Sequence, residues 1–320
     1  MRTIFASLAL ALSFAVAHAQ TEEQRKYVFA ALTDTVTTTL EGSGQLGGLS
    51  IQKHSTFEYM DLYLDTDELD LAKRQLSLRI RRRDYGNGTI EYGMQLKSEM
   101  AAVGDVRMEI DEDELGIQRI YSRGRVLRLE AVLEDLFLRF QEALKTGSAD
   151  AITQQPEVQD SIEMLREWLA FKADSPIAPL QKLRHLKLPL AKRQSLRPQI
   201  IGRSLRSRSH VFIDRQHTDP DLAQFAASQR DSAGTPERLR GPRYVWTMEA
   251  SFDRALFVNL LGPGVHEISE FEVENKYLPH AHGSPLLARF EDGLTSTLGA
   301  QVNLDSKYLQ TMKALGRVTH

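Results

Sequence analysis

Apolar and polar positions alternate along two blocks of this chain, separated by a stretch of different period. In the first block, Leu76, Leu78 and Ile80 share one face of an extended segment, and Ser77, Arg79, Arg81 and Arg83 share the other. From Ile90 to Lys97, Ile90, Tyr92, Met94 and Leu96 oppose Glu91, Gln95 and Lys97. From Asp105 to Asp111, Val106, Met108 and Ile110 oppose Asp105, Arg107, Glu109 and Asp111. The second block repeats the pattern. Tyr244, Trp246, Met248, Ala250 and Phe252 alternate with Thr247, Glu249, Ser251 and Asp253, and Phe271 and Val273 alternate with Glu270, Glu272, Glu274 and Lys276. A period of two marks strands that separate two environments. Arginines in register on one face repel each other unless an anion sits among them. The plain alternative is a solvated edge strand that uses basic residues against aggregation. The mixed polar faces suit ordinary solvent faces, and they also permit a closed antiparallel barrel with a charged interior.

Between the blocks the period becomes helical. Val126, Leu129, Val132, Leu133, Leu136 and Phe140 predict an amphipathic helix over about Arg125 to Lys145, and Ile162, Leu165, Trp168 and Leu169 a second over Val158 to Phe171. Thr146 to Glu157 and His217 to Arg240 read as polar loops, and Pro176 to Arg208 as a basic helix and loop. Strand character resumes at Val211 to Asp214, and Leu287 to Leu298 is a late helix. Upstream, Ile51 to Leu64 reads as a long strand feeding an acidic turn at Asp65 to Glu68, and Gly86-Asn87-Gly88 is a hairpin signal. Thr21 to Leu32 is open to two readings: a helix capped by Thr21, or a strand with Glu22, Gln24 and Lys26 on one face. The expected fold class is α+β: a closed antiparallel β-barrel with flanking helices and a helical insertion at about 116–205.

With 320 residues, 42% of them hydrophobic, the chain can bury a substantial core without cross-links. It contains no cysteine, which excludes disulfides, thiol nucleophiles and a lipoprotein anchor. A net charge of −3 gives no argument for nucleic acid or an anionic membrane. Arg2, the apolar run Ile4 to Val16 and Ala17-His18-Ala19 form a secretory signal cleaved after Ala19. The apolar run is short for a membrane span. The expected address is therefore periplasmic or secreted, with residues 20–320 as the mature domain, no stable membrane insertion, and a homodimer allowed. No P-loop, HExxH or GxSxG motif occurs. Among nine histidines, His54 and His210 included, only His280-x-His282 has a close metal spacing.

Acidic and basic strands facing one another suit a polyphosphate chain. Arginine and lysine bind its oxygens, while carboxylates hold a divalent cation that bridges them. The motifs YLDT (63–66), LSLRIRRR (76–83), MQLKSE (94–99) and VRMEIDEDEL (106–115) occur in the order of the Y-x-D-T turn, L-R-x-R strand, L-K strand and R-x-E strand of the CYTH domain of triphosphate tunnel metalloenzymes, which the chain resembles. WTMEASFDRALF (246–257) and EFEVENKY (270–277) resemble the family's second set of tunnel strands. FEVENKYLP and Ser306-Lys307-Tyr308 are similar to the end of the related polyphosphate-polymerase domain.

The resemblance implies that Arg79, Arg81, Lys97 and Arg107 bind phosphates, joined by Lys26, Lys276 and a later tunnel arginine, Arg206 or Arg208. It implies metal ligation of Mg2+ or Mn2+ by Glu22, Glu109, Asp111, Glu249, Glu270, Glu272 and Glu274, with Asp253 as a further carboxylate. Glu109, Asp111 and Glu272 would carry the catalytic role. The substrate would be triphosphate, polyphosphate or another phosphorylated small molecule, hydrolysed with metal. The departure from the family lies in its first strand, E-x-E-x-K, matched here by Glu22, Gln24 and Lys26, where a neutral amide replaces the second metal-binding carboxylate. A non-catalytic polyanion-binding protein of the same fold is the alternative.

Overall fold

The computed structural model describes residues 21–29, 34–41, 43–84, 88–102, 106–115, 118–122, 124–216, 219–228, 243–274 and 285–318, leaving aside the side chains of 21–24, 34, 41, 43, 99–114, 150, 226–228 and 285. The secretory signal, Lys276, His280 and His282 lie outside the described residues. In chain order the elements are β1 (Thr21–Phe29), α1 (Asp34–Glu41), β2 (Ser43–Leu46), β3 (Leu49–Asp65), β4 (Leu76–Asp84), β5 (Ile90–Ala102), β6 (Val106–Glu114), β7 (Arg119–Ser122) and β8 (Arg125–Arg128). There follow α2 (Leu129–Lys145), α3 (Pro156–Lys172), α4 (Ala178–His185), α5 (Leu190–Gln194), β9 (Arg197–Asp214), α6 (Pro220–Ser228), β10 (Tyr244–Asn259), β11 (Val265–Glu274), α7 (Pro285–Leu298), β12 (Ala300–Val302) and α8 (Lys307–Ala314).

The fold is mixed α/β, built on a large antiparallel sheet with several helices. The main sheet runs β11-β10-β9-β3-β4-β5-β6-β1-β12, and β1 pairs additionally with β11. Glu22 of β1 lies opposite Arg107 of β6, and Lys26 lies opposite Glu272 of β11. Each of the eight strands from β11 to β1 along this path thus has an antiparallel neighbour on both edges.

Two apolar cores cover one face of this sheet from outside. Met60, Leu62, Leu78, Ile80, Met94 and Leu96 pack against Leu133, Phe137 and Phe140 of α2 and Trp168 of α3. Phe252, Phe271 and Val273 pack against Leu287, Phe290 and Leu294 of α7 and Leu40 of α1. Alternation sorts the RIRRR run accordingly. Arg82 points to the helices, where its Nε donates to Glu134 at 2.9 Å, while Arg79 and Arg81 face the opposite way, towards Asp61.

A third cluster closes the opposite face near Asp65: Tyr63, Ile200, Ala255, Phe257 and Ile268 pack on Tyr308, Leu309 and Met312 of α8. The YLDT turn holds that helix. The Asp65 carboxylate, fully buried, accepts from the amides of Thr66, Leu71 and Ala72 at 2.7–2.9 Å and from the Tyr308 hydroxyl at 2.9 Å. Tyr63 stacks on Tyr308 with ring centroids 5.3 Å apart.

Of the two readings open for the first segment, Thr21–Phe29 takes the strand, with Tyr27 buried in the α7-side core and Lys26 facing the other way. Other elements differ from the sequence expectation. The β-branched Thr35–Thr39 lies in helix α1, where Val36 and Leu40, one turn apart, are buried; tertiary packing overrides propensity. The segment expected to be a basic helix and loop becomes the 18-residue strand β9 from Arg197 onward. Pairing with β3 on one side and β10 on the other orders its basic middle, while Ile201, Val211 and Ile213 reach the outer cores. In β10 a bulge between Trp246 and Met248 interrupts the alternation, and Thr247 there donates to the Val211 carbonyl at 3.0 Å. Pro220–Ser228 forms a helix inside the expected polar loop.

Gly202 of β9 is required by the apolar plug, since a Cβ at this position would overlap the Phe257 ring. Gly202→Ala is expected to lower stability by about 1–3 kcal/mol through overpacking. Phe257→Leu in the same chain should recover part of it, as read by urea denaturation of both single variants and the double.

Candidate functional site

Beyond the plug, the face shared by Tyr63, Asp61 and Tyr59 becomes strongly polar. On β3 and β4, Asp61 lies opposite Arg81 and Tyr63 opposite Arg79. Directly opposite residues share a face, and the side chains meet there. Arg81 donates to both Asp61 oxygens at 2.7 Å, and its guanidinium lies 4.3 Å from the Tyr59 ring centroid. Arg79 donates to Gln95 of β5 at 2.9 Å, to the Tyr63 hydroxyl at 3.2 Å and to Asp61 at 3.4 Å. Burial would raise the Asp61 carboxyl, but Arg79 and Arg81 outweigh it and hold it at about 2.

Across this face, β9, β10 and β11 set Arg206 opposite Asp253 and Asp253 opposite Glu270. Arg206 grips both Asp253 oxygens at 2.6–2.7 Å and reaches Glu272 at 3.0 Å. Lys307, the first residue of α8, bridges Asp253 at 2.7 Å and Glu270 at 2.8 Å. Lys26 of β1 stands 3.6 Å from Glu270. Asp253, Glu270 and Glu272 are each at most 5% exposed, and one oxygen from each lies within 4.8 Å of the others. Desolvation alone would neutralise such carboxyls. For Asp253, Arg206 and Lys307 outweigh burial, and for Glu272 the charges of Lys26, Arg206 and Lys307 do so, so both stay well below the usual carboxylate range. Lys307 is raised in turn: burial disfavours its charge, but Asp253 and Glu270 more than restore it.

The sequence candidates fall into three groups. Lys26, Glu270 and Glu272 converge with Asp253, and Arg79 and Arg81 converge on Asp61. Lys97, half-buried on β5, is close enough to Glu272 that its charge helps to lower the Glu272 pKa further. The second group lies further along the strands. Arg208 approaches Glu249 at 3.7 Å, and Glu274 pairs in register with Glu249 and with Gln24. For the third group, on β1 and β6, register alone is described: Arg107 lies opposite Glu22, and Glu109 opposite Lys97. A shift between Leu96 and Lys97 sets Asp111 opposite Leu96 and Glu112 opposite Gln95, which interrupts the strict alternation that grouped Glu109 with Asp111.

Sequence reasoning did not single out Asp61 or Lys307, and it left Arg206 and Arg208 unresolved. Asp61 was legible in principle, two residues before Tyr63 and so on the same face of an alternating strand. Lys307 sits in the quoted Ser-Lys-Tyr, but only the docking of α8, with Ser306 capping the Leu309 amide, aims it inward.

The paired carboxylates generate an acid-stability prediction. With folded values below those of the unfolded chain, native Asp61, Asp253 and Glu272 bind fewer protons, so stability rises with pH in that window. It is fully present above about pH 5 and is lost progressively as pH falls towards 2, with Asp61 alone contributing roughly 2 kcal/mol. A thermal-melt series between these limits should show a steep fall in Tm. Asp61→Asn should lower Tm at neutral pH and flatten the acid slope, because Arg79 and Arg81 then lack their counter-charge.

The CYTH domain family model matches residues 31–219. Among solved structures, the chain is similar to a protein from Hippeastrum described as an adenylyl cyclase candidate with a dominant triphosphatase activity, at 14% identity, TM-score 0.40, over 93% of this chain and 97% of that one. It is also similar to an adenylate cyclase candidate from Bacillus halodurans, at 15% identity, TM-score 0.38, over 91% and 96% of the two chains. A third is the PH1819 protein of Pyrococcus horikoshii, at 11% identity, TM-score 0.40, over 92% and 99%. No curated protein matches the sequence. With its family match spanning more than half of its length, the chain belongs to the CYTH domain family.

Proposed function

We propose that this protein hydrolyses the phosphoanhydride bonds of inorganic triphosphate or polyphosphate outside the cytoplasm, within a tunnel closed by the eight-strand circuit of pairings. The observation that carries the proposal is the buried cluster of Asp253, Glu270 and Glu272 interleaved with Arg206, Lys307 and Lys26, facing the Arg79–Arg81–Asp61 group. The secretory address rests on the N-terminal signal pattern.

Charge exchange explains how the site works. Without ligand, its carboxylates and cations neutralise each other. An incoming phosphate chain takes the arginines and lysines, which leaves carboxylates without partners in a poorly solvated space. The three converging oxygen donors, kept ionised, fit a hard divalent cation such as Mg2+ or Mn2+. Such an ion would supply a Lewis-acid contact to phosphate oxygens and restore charge balance. The chain's own residues hold the substrate. Arg79, Arg81 and Arg206 offer planar donor pairs to phosphate oxygens, Lys26 and Lys307 add point charges, and the apolar plug ends the binding face at α8. Before substrate binds, Lys26, Arg206 and Lys307 hold Glu272 ionised, ready to grip a cation.

Phosphate release from tripolyphosphate that requires Mg2+ or Mn2+ is expected. Glu272→Gln should lower kcat/KM at least about a hundredfold, judged against the effect of losing a metal-site partner. Arg81→Ala should raise KM by roughly tenfold to a hundredfold for the loss of a charge-assisted contact. Metal-independent release, or release unchanged in both variants, would overturn the reading. Gln24, standing opposite Glu274 where the family pattern has a glutamate, favours a second reading, a polyanion-binding protein without turnover. Tight, salt-sensitive tripolyphosphate binding with no release in any metal would select it.

A further inference from the structure

Two histidines 156 positions apart, His54 and His210, meet on the same face as the carboxylate cluster, at the end of β3 remote from Asp65. His210 of β9 lies directly opposite Glu249 of β10. His54 belongs to β3 at a register shift between Lys53 and Ser55, so that His54 and Ser55 both come opposite Arg208. Such a bulge re-aims a side chain that regular pairing would send elsewhere. The two imidazole rings lie with centroids 4.1 Å apart at 61°, and Trp246 packs edge-on against His210 at 4.0 Å. One ligand atom from each of His54, His210 and Glu249 lies within 4.8 Å of the other two.

We infer that His54, His210 and Glu249 form a binding site for a zinc-class divalent metal ion, separate from the carboxylate cluster. Two imidazole nitrogens, borderline donors, beside one carboxylate select Zn2+, Co2+ or Ni2+ over Mg2+. Tetrahedral bonds of about 2.0–2.1 Å set neighbouring ligand atoms roughly 3.4 Å apart, a spacing that rotation of the exposed His54 and the half-buried His210 and Glu249 reaches from here. Glu249 is engaged by Arg208 at 3.7 Å, and Arg208 also lies over the Phe57 ring at 5.1 Å, which gives the guanidinium a place when a cation takes the carboxylate. Three protein ligands leave a fourth position for water or an anionic oxygen. His210 and Glu249 each stand four residues from Arg206 and Asp253 along their strands, about 13 Å at strand rise, so no ligand is shared with the carboxylate cluster. The site links β3, β9 and β10 and presents its open position on the face assigned to phosphate.

The test titrates the metal-stripped full chain with Zn2+ against a chromophoric zinc indicator, and with Co2+ while recording visible absorption. Wild type is expected to take up one tight Zn2+ and to give the d–d bands of a low-coordinate Co2+ site. His54→Asn and His210→Asn should each weaken that Zn2+ at least about tenfold and bleach the bands, with unchanged circular dichroism showing that the fold survives. Glu272→Gln should leave both readouts in place. Retention of the tight Zn2+ in the His54→Asn/His210→Asn double variant, or its loss in Glu272→Gln alone, would overturn the assignment. None of these outcomes depends on phosphate hydrolysis.

Discussion

Opposite charges taken out of water together are the constraint on which this structure depends. Asp253 lies between Arg206 and Lys307, Glu270 between Lys307 and Lys26, and Asp61 between Arg79 and Arg81. Any one of these groups left alone in that space would cost several kcal/mol. Because the partners come from β1, β3, β4, β9, β10, β11 and α8, the pairs also fix which strands lie beside which. A register slip of one residue would send an arginine into the α2–α3 core and a leucine into the polar face.

That face has two parts with different physics. Near Asp65 it is apolar, filled by Tyr63, Phe257 and Ile268 against α8. Further along it is charged and still buried, at Asp61, Asp253, Glu270 and Lys307. The link between the parts is Lys307 and Tyr308, adjacent in sequence and opposite in task. Tyr308 donates to Asp65 and anchors the helix in the plug, while Lys307 reaches past the plug to Asp253 and Glu270. Docking of the C-terminal helix is thus coupled to the electrostatics of the carboxylate cluster, although no strand connects them.

The same buried pairing shapes reactivity. A carboxylate held ionised among cations is a poor base and a good ligand. Glu272 and Asp253 are therefore suited to gripping cations, and whatever binds here must replace the contacts it breaks. The requirement favours a ligand that brings both signs, a polyanion with its counter-cation, over either alone.

Much of this was legible along the chain. Alternation in Leu76–Arg83, Ile90–Lys97 and Glu270–Glu274 marked the strands and set Arg79 with Arg81, and Glu270 with Glu272, on one face of their own strand, because a two-residue period is a local property of extended backbone. Heptad-like spacing marked α2 and α3 for the same reason. Other features needed the folded chain. Strand β9 announces itself only at its end, Val211 to Asp214; its middle, Arg203 to Ser209, is basic and serine-rich and is ordered by its two neighbours. The bulges at His54 and Thr247 and the shift before Lys97 change which residues face together, and nothing local in the sequence announces them. Asp61's arginine partners, the inward aim of Lys307 and the meeting of His54 with His210 are contacts between distant segments, set by sheet register and helix docking. Local periodicity determined which face each side chain occupies on its own strand; only tertiary pairing decided which charges share that face, because electrostatic partnership depends on separation in space and not along the chain.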